Sequence, residues 1–281
     1  MAEPAKLRFA LASCLYGTTP LAEILPEMKK LGVSELDVWP KKHGAQREEI
    51  DALGIAATRK LLDKHGVKLT AITRFDLGLP RLAEEIPLAK ELSASLLVTG
   101  VTGAGLNKLK GAELKSAIAK QIKDAAGLVA KAEEAGITVA VENHSGGLLA
   151  TLDSIRWFAD LSPTPHLAIA FAPYHLPQDP AQLADCLRAL GSKLALFYAW
   201  QHGKGCMTAQ PKADELLQLP GRGDLDFAPL LSALASIDYS GPTEVFMHPF
   251  PRGIPILHSL SDTTAELLRS QRHLQEKLPR A

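Results

Sequence analysis

The residues best suited to chemistry lie at the end of one apolar stretch of the sequence. Residues Ile137–Val141 are β-favouring or small and apolar, and they lead directly into Glu142, Asn143 and His144. A carboxylate is costly to bury unless it has a hydrogen-bonding partner or a metal ion. In folds built from βα repeats, ligands bind where the strands end. We therefore predict that Glu142 is the centre of a site; the competing interpretation is a charged residue that opens an ordinary loop.

Polar and aromatic residues also follow the other predicted strands. Two glutamates with histidines between them could bind a divalent metal ion or exchange protons. We take Glu142, Glu244 and His175 as candidate catalytic residues and also as candidate metal ligands. For His175, a simple hydrogen bond to a backbone group is the alternative. The full set is Ser13, Tyr16, Trp39, His43, Arg74, Asp76, Glu142, Asn143, His144, Tyr174, His175, Tyr198, Trp200, Gln201, His202, Lys204, Glu244, His248 and Arg252.

A substrate-binding surface is predicted from the aromatic and basic members of this set. An aromatic ring can pack against the C–H face of a sugar, which suggests that Trp39, Tyr198 and Trp200 line such a surface. The alternative is that these rings fill an inner layer of the fold. Arg252 could bind a phosphate or carboxylate group. The predicted substrate-binding residues also include His202 and His248.

Strand-like and helix-like segments alternate along the chain. The predicted strands are Leu7–Ser13, Glu35–Trp39, Val67–Thr73, Ser95–Gly100, Ile137–Glu142, His166–Phe171, Lys193–Trp200 and Pro242–Met247. The predicted helices are Pro20–Leu31, Gln46–His65, Pro80–Leu92, Gly111–Ala135, Thr151–Leu161, Pro180–Leu190, Phe227–Ser236 and Ser261–Leu278. These βα pairs predict a fold of the α/β class, a single (β/α)8 TIM barrel over residues 1–281. An open doubly wound sheet is disfavoured, because the spacing is even and Gly103-Ala104-Gly105 lacks the third glycine of a dinucleotide motif.

Composition narrows the range of partners and compartments. The formal net charge of the 281 residues is zero, which argues against nucleic acid as a partner. No apolar run reaches the roughly 20 residues of a membrane span. Cys14, Cys186 and Cys206 form neither a disulfide framework nor a zinc-finger pattern, so we expect a reducing, cytoplasmic location. A leader preceding the given sequence, and assembly into a homo-oligomer, are both compatible with it.

Three segments resemble the xylose isomerase-like barrels, which include sugar isomerases and epimerases, inosose dehydratases and metal-dependent AP endonucleases. Residues Val139–His144 are similar to the Glu-Asn-His signature at the end of strand five in that family. Residues Gly221–Phe227 resemble its segment before the seventh helix. Residues Tyr239–Val245 are similar to its approach to a glutamate in strand eight. The order and spacing of the three segments support the TIM barrel.

The resemblance implies a divalent metal (Mn, Mg or Zn), but the ligand pattern is incomplete. Family sites take a glutamate from strand five, an aspartate from strand six, a histidine from strand seven and a glutamate from strand eight. Glu142 and Glu244 match the first and last of these. Ala172 stands in the aspartate position, and Tyr198 or Trp200 stands in the histidine position. We therefore expect any metal site to be weakened.

The resemblance also implies a function and an alternative to it. The expected activity is isomerisation or epimerisation of a small sugar or polyol through an enediolate, with Glu142 and Glu244 moving the proton on opposite faces and His175 assisting. The alternative is a non-catalytic carbohydrate-binding barrel whose metal site has decayed. A phosphodiesterase of the AP endonuclease kind ranks last, because the strand-six aspartate is missing and the net charge is neutral. The expected partner is thus a small carbohydrate.

Overall fold

The strands of this protein close into a parallel barrel. A computed structural model describes residues 6–279, so residues 1–5 and 280–281 of the predicted domain lie outside the described residues. Within that range the barrel order is β1-β2-β3-β4-β5-β6-β7-β8, and every neighbouring pair is parallel. The strands are β1 Arg8–Ala12, β2 Glu35–Val38, β3 Lys68–Thr73, β4 Leu96–Gly100, β5 Thr138–Glu142, β6 Leu167–Phe171, β7 Leu194–Ala199 and β8 Pro242–Val245. The prediction of a (β/α)8 TIM barrel is confirmed.

Helices cover the outside of the barrel. They are α1 Leu21–Leu31, α2 Gln46–Leu53, α3 Ile55–His65, α4 Gly78–Arg81, α5 Ile86–Glu91, α6 Gly111–Asp124, α7 Ala126–Glu134, α8 Leu152–Leu161, α9 Pro180–Leu190, α10 Lys212–Glu215, α11 Ala228–Ser236 and α12 Leu260–Lys277. Thr151 caps α8 in a capping box with Ser154, and the Ser259 hydroxyl accepts a hydrogen bond at the start of α12. No helix among the described residues is long and apolar enough to cross a membrane.

Three helices that the sequence predicts as continuous are broken in the structure. Gly54 separates α2 from α3 with φ of 79°, a conformation that a residue without Cβ adopts freely. Ala125 separates α6 from α7. The predicted segment Pro80–Leu92 is divided between the end of α4, a 3-10 turn and α5. The amphipathic spacing continues across these breaks, so periodicity alone does not reveal them.

The barrel interior is built in layers that follow from the strand register. Side chains of alternate strands lie at the same height in such a barrel. Following the paired residues around the ring assigns three layers at the carboxyl-terminal end. The deepest of the three, called the carboxyl layer for the side chains of its two acidic residues, is Asp37, Val98, Ala170 and Glu244. The middle layer above it is Ala12, Thr73, Glu142 and Tyr198. The mouth layer, two residues further along the same strands as the carboxyl layer, is Trp39, Gly100, Ala172 and Phe246, all of which are buried.

The two faces of each strand differ in composition. The outward face carries large apolar residues such as Leu11, Ile72, Val141, Phe171 and Phe197, which are all buried beneath the helices. The inward face carries several alanines and a glycine, which leave room for larger polar side chains from neighbouring strands. The apolar core therefore lies mainly between barrel and helices, and the barrel axis is available for polar groups.

Candidate active site

Glu142 and His175 form a contact at the mouth of the barrel. Glu142 is the last residue of β5, and His175 lies in the 3-10 turn that follows β6. Oε1 of Glu142 is 3.3 Å from Nε2 of His175, and each side chain is only 5% exposed. The Nδ1 atom of His175 lies 3.4 Å from the hydroxyl oxygen of Ser145. The structure therefore brings two of the candidate residues into contact, with Ser145 beside them, and their catalytic roles stay a prediction.

Burial keeps this pair uncharged near neutral pH. Removal from water raises the pKa of Glu142 from 4.5 to about 8, and the nearby His144 opposes the rise. The same effect lowers the pKa of His175 from 6.5 to about 3, and His202 adds to it. With Glu142 protonated and His175 neutral, Oε1 of the carboxyl group lies 3.3 Å from an Nε2 atom that is able to accept its proton in a hydrogen bond. Because the carboxyl titrates close to neutral pH, it can act as either an acid or a base.

More neutral imidazoles surround the pair. The ring centroids of His144 and His175 are 4.0 Å apart, and those of His43 and His248 are 5.0 Å apart. Burial lowers the pKa of His144, lowers that of His43 to about 4, and holds that of His248 well below its usual range. Nδ1 of His144 accepts the N–H of Gly146 at 3.0 Å, so Nε2 of a neutral His144 carries the ring proton. That N–H group is a hydrogen-bond donor at the mouth.

Glu244 lies deeper than the sequence suggests. The predicted site places it beside Glu142 at the mouth, but the register places it in the carboxyl layer, one layer below. Phe246, two residues later on the same face of the chain, occupies the mouth layer, and its ring is 5.2 Å from that of Trp39. Glu244 is 0% exposed, and neither carboxylate oxygen has a hydrogen-bond partner among the described residues. Burial and the neighbouring carboxyls of Asp37 and Glu142 raise its pKa well above the ordinary value.

Asp37 is a buried acidic residue that the sequence analysis passes over. Its Oδ2 atom accepts hydrogen bonds from Nε1 of Trp39 at 2.7 Å and from the Thr73 hydroxyl at 2.6 Å. Burial raises its pKa to about 7, against the effect of these hydrogen bonds. An acidic residue between Leu36 and Val38, inside a predicted strand, was the available signal. Asp37 fixes the indole of Trp39, and it shares the carboxyl layer with Glu244.

The aromatic residues predicted to stack on a sugar are packed inside the protein. Trp39, Tyr198 and Trp200 are each at most 2% exposed. Trp39 contacts Phe246, and Trp200 stacks on Tyr174 with ring centroids 3.9 Å apart. These contacts match the alternative interpretation, in which the rings fill inner layers. Their faces are covered by other side chains in this structure.

The predicted substrate-binding residues Arg252, His202 and His248 differ in how far their side chains are held by other residues. Arg252 donates hydrogen bonds to the backbone oxygens of Cys206 and Pro249 and to the Cys206 sulfur, so it clamps two loops together. His202 is exposed and stacks on Tyr174 at the rim, whereas His248 is half-buried. Of these three residues, only His202 is exposed.

The residues present do not fit a divalent metal. Among residues 6–279, no three His, Cys, Asp or Glu side chains are arranged to hold an ion. Glu142 and His175 face each other, Glu244 is fully buried one layer below Glu142, and Ala172 contributes only a methyl group to the mouth layer. Two donors would hold Mg²⁺ or Mn²⁺ weakly. The expected ligand set is therefore incomplete at Glu244 as well as at Ala172.

Comparisons with known proteins agree on the fold. No curated protein matches the chain by sequence. A xylose isomerase-like TIM barrel/4-hydroxyphenylpyruvate dioxygenase fusion protein has a TM-score of 0.68 at 18% identity; the match covers 95% of this chain and 42% of the fusion. The IOLI protein, solved with a bound zinc atom, has a TM-score of 0.73 at 15% identity, with 97% and 99% of the two chains covered. A D-allulose 3-epimerase from Methylomonas sp. has a TM-score of 0.71 at 16% identity, with 99% and 100% covered.

The family assignment rests on a separate comparison. At identities below one fifth, these neighbours establish the barrel but not its chemistry. The sequence profile of one family, however, matches residues 25–272, which is most of the chain. This protein belongs to the xylose isomerase-like TIM barrel family.

Proposed function

We propose that this protein is an isomerase or epimerase of small sugars or polyols that transfers a proton through Glu142. The observation that carries the proposal is the buried contact between Glu142 and His175 at the strand ends. A carboxyl group with a pKa of about 8 is well matched to proton transfer near neutral pH. Several structural neighbours are sugar epimerases, which is consistent with this class of substrate.

The proton transfer can be followed at named atoms. The ionised carboxylate of Glu142 takes a proton from the substrate carbon next to a carbonyl group, and the electron pair forms the double bond of an enediolate. The N–H at Nε2 of His144 is available to the oxygen that becomes negative, as a preorganised neutral imidazole can be. Glu142 then returns the proton to the former carbonyl carbon, while the hydroxyl proton of the neighbouring carbon passes to the former carbonyl oxygen, so that the carbonyl group has moved by one carbon.

His175 serves both protonation states of Glu142. Its Nε2 atom can accept a hydrogen bond from the carboxyl O–H when Glu142 is protonated and can donate one to the carboxylate when Glu142 is ionised. The Ser145 hydroxyl, 3.4 Å from Nδ1, can accept or donate to match either tautomer. His175 therefore keeps Oε1 of Glu142 engaged in both states, and Oε2 is left for the substrate.

The depth of Glu244 favours a single-base reaction. Transfer on opposite faces needs a second acid or base in contact with the substrate, but Phe246 separates Glu244 from the mouth. A single base returns the proton to the face it came from, which suits isomerisation between neighbouring carbons. The two-base scheme, in which Glu244 is the second catalytic residue, remains the alternative. Glu244→Gln decides between them, since the single-base scheme predicts retained turnover.

Activity should be sought first with ketoses and aldoses of five and six carbons, followed by proton NMR of the products. Wild type should interconvert at least one pair, and Glu142→Gln should not. The metal enters none of these steps, because the donor set argues against it. Elemental analysis for Mn, Mg and Zn after purification tests that argument. A stoichiometric metal that is required for turnover would contradict it.

A non-catalytic carbohydrate-binding barrel is the second candidate. It is favoured by the mouth layer, since none of its four residues, Trp39, Gly100, Ala172 and Phe246, carries an ionisable group. Binding of a sugar in calorimetry without conversion of any tested sugar, together with unchanged binding in Glu142→Gln, would support this function over the first.

A further inference from the structure

A cavity beside the barrel mouth is not explained by the Glu142–His175 pair. It has a volume of about 350 Å³ and lies between the loops that follow β3 and β4. Its walls include Phe75, Asp76, Gly100, Thr102 and Gln121. Its volume falls within the range of small-molecule sites. Another cavity, of about 380 Å³, is lined mainly by apolar residues of α6, α7 and the segment at the start of β6, away from the mouth.

The cavity is close to the proposed base. Gly100 lines the cavity and is the register partner of Glu142 on the adjacent strand. Neighbouring strands are roughly 5 Å apart, so the cavity begins about one strand away from Glu142. Phe75 forms one side wall of the cavity and also contacts the mouth layer, since its ring lies 3.2 Å from where a Cβ of Gly100 would stand and its centroid is 5.4 Å from that of Trp39. A larger residue at position 100 would displace this wall.

The polar groups of the cavity suit hydroxyl groups. The carboxylate of Asp76 is held by Arg74 through two hydrogen bonds, of 2.9 and 2.7 Å, which fix its orientation and leave lone pairs available. The Gln121 amide and the Thr102 hydroxyl make no hydrogen bond to any other described residue. One anchored acceptor, one amide and one hydroxyl beside an aromatic ring match the alternating O–H and C–H groups of a polyol chain.

We propose that this cavity is the subsite for the hydroxylated tail of the substrate, with Phe75 as its wall, while the carbonyl end lies over Glu142. The proposal rests on the proposed function for the identity of the reacting end. The subsite implies that the protein selects sugars by the length of their carbon chain. A hexulose is long enough to occupy both the position over Glu142 and the cavity, whereas a triose occupies only the position over Glu142. Thr102 and Gln121 act as specificity determinants that do not touch the reacting atoms.

The test is binding by isothermal titration calorimetry, which does not depend on turnover. D-Allulose and dihydroxyacetone serve as the long and short probes. Thr102→Trp fills the cavity from an exposed position, and Asn107→Trp places the same ring on an exposed site that does not line it. Wild type and Asn107→Trp should bind D-allulose at least about tenfold more tightly than dihydroxyacetone, and Thr102→Trp should lose that preference.

The outcomes separate this proposal from the proposed function. Loss of the preference in Thr102→Trp without any sugar conversion in wild type would support the subsite and reject the catalytic function. Conversion of D-allulose with equal affinity in wild type and Thr102→Trp would reject the subsite and leave the function intact. If neither sugar binds wild type, the subsite is rejected. Gln121→Leu gives an independent check, since it should weaken D-allulose binding with dihydroxyacetone binding unchanged.

Discussion

Replacing Glu142 with glutamine should change how the stability of the protein depends on pH. The folded protein holds the Glu142 proton up to about pH 8, whereas the unfolded chain releases it near 4.5. The stabilisation is therefore complete below about pH 4.5 and is lost as pH rises toward 8, because the folded state must then bury a charge or retain a proton that the unfolded state has lost. Glutamine has no proton to lose, so the variant lacks this dependence.

The size of this stability difference follows from the pKa shift of Glu142. A rise from 4.5 to about 8 corresponds in full to about 5 kcal/mol at 1.36 kcal/mol per pKa unit. Between about pH 5 and about pH 9, roughly 4 kcal/mol of this should appear as a difference between wild type and Glu142→Gln.

Urea unfolding of both proteins at the two pH values measures the difference directly. Glu142→Gln should gain stability relative to wild type as pH rises, and the comparison cancels the titration of all groups that the two proteins share. Glu134→Gln, an exposed site on α7, should show no such gain. A change of less than about 1 kcal/mol between the two pH values would refute the burial argument for Glu142.

Three further substitutions and the pH profile of the wild-type protein test the packing of the mouth layer, the role of Arg252 and the proposed catalysis. Phe246→Ala should cost about 3–5 kcal/mol in urea unfolding, because its ring contacts those of Trp39 and Trp200; a loss below about 1 kcal/mol would show that the mouth layer is not packed. Arg252→Ala should increase proteolysis of the Cys206 loop while sugar affinity is retained; a selective loss of affinity would instead make Arg252 a ligand. His175→Ala should lower kcat by about 10²–10³ with little effect on KM, and an unchanged kcat would remove it from catalysis. In wild type, kcat/KM should rise with pH up to about 8, since the base must be ionised; a plateau already reached near pH 5 would contradict the raised pKa of Glu142.

The barrel and the location of Glu142 could be predicted from sequence because both depend on local patterns. Alternating apolar and amphipathic segments specify eight βα units, and a carboxylate that ends an apolar run marks the carboxyl edge of a strand. The helix breaks at Gly54 and Ala125 were missed, since the amphipathic pattern continues through them.

The depth of each side chain within the barrel could not be predicted in the same way. Glu244 and Phe246 lie on the same face of their strand, so the pattern alone does not say which of them reaches the mouth. That choice depends on the register between strands, which is a tertiary property. The same limit explains why Asp37 was passed over and why Trp39, Tyr198 and Trp200 were assigned to a sugar surface: each is polar or aromatic near a strand end, but the register places it within a packed layer.

The most direct test of the central claim is exchange of the carbon-bound proton of a substrate in D₂O. D-Allulose, or whichever ketose wild type converts, is incubated with wild type, Glu142→Gln and Glu244→Gln, and deuterium at the carbon next to the carbonyl is measured by NMR. Proton transfer through Glu142 predicts incorporation with wild type and Glu244→Gln and none with Glu142→Gln. Incorporation by Glu142→Gln at the wild-type rate would contradict the account.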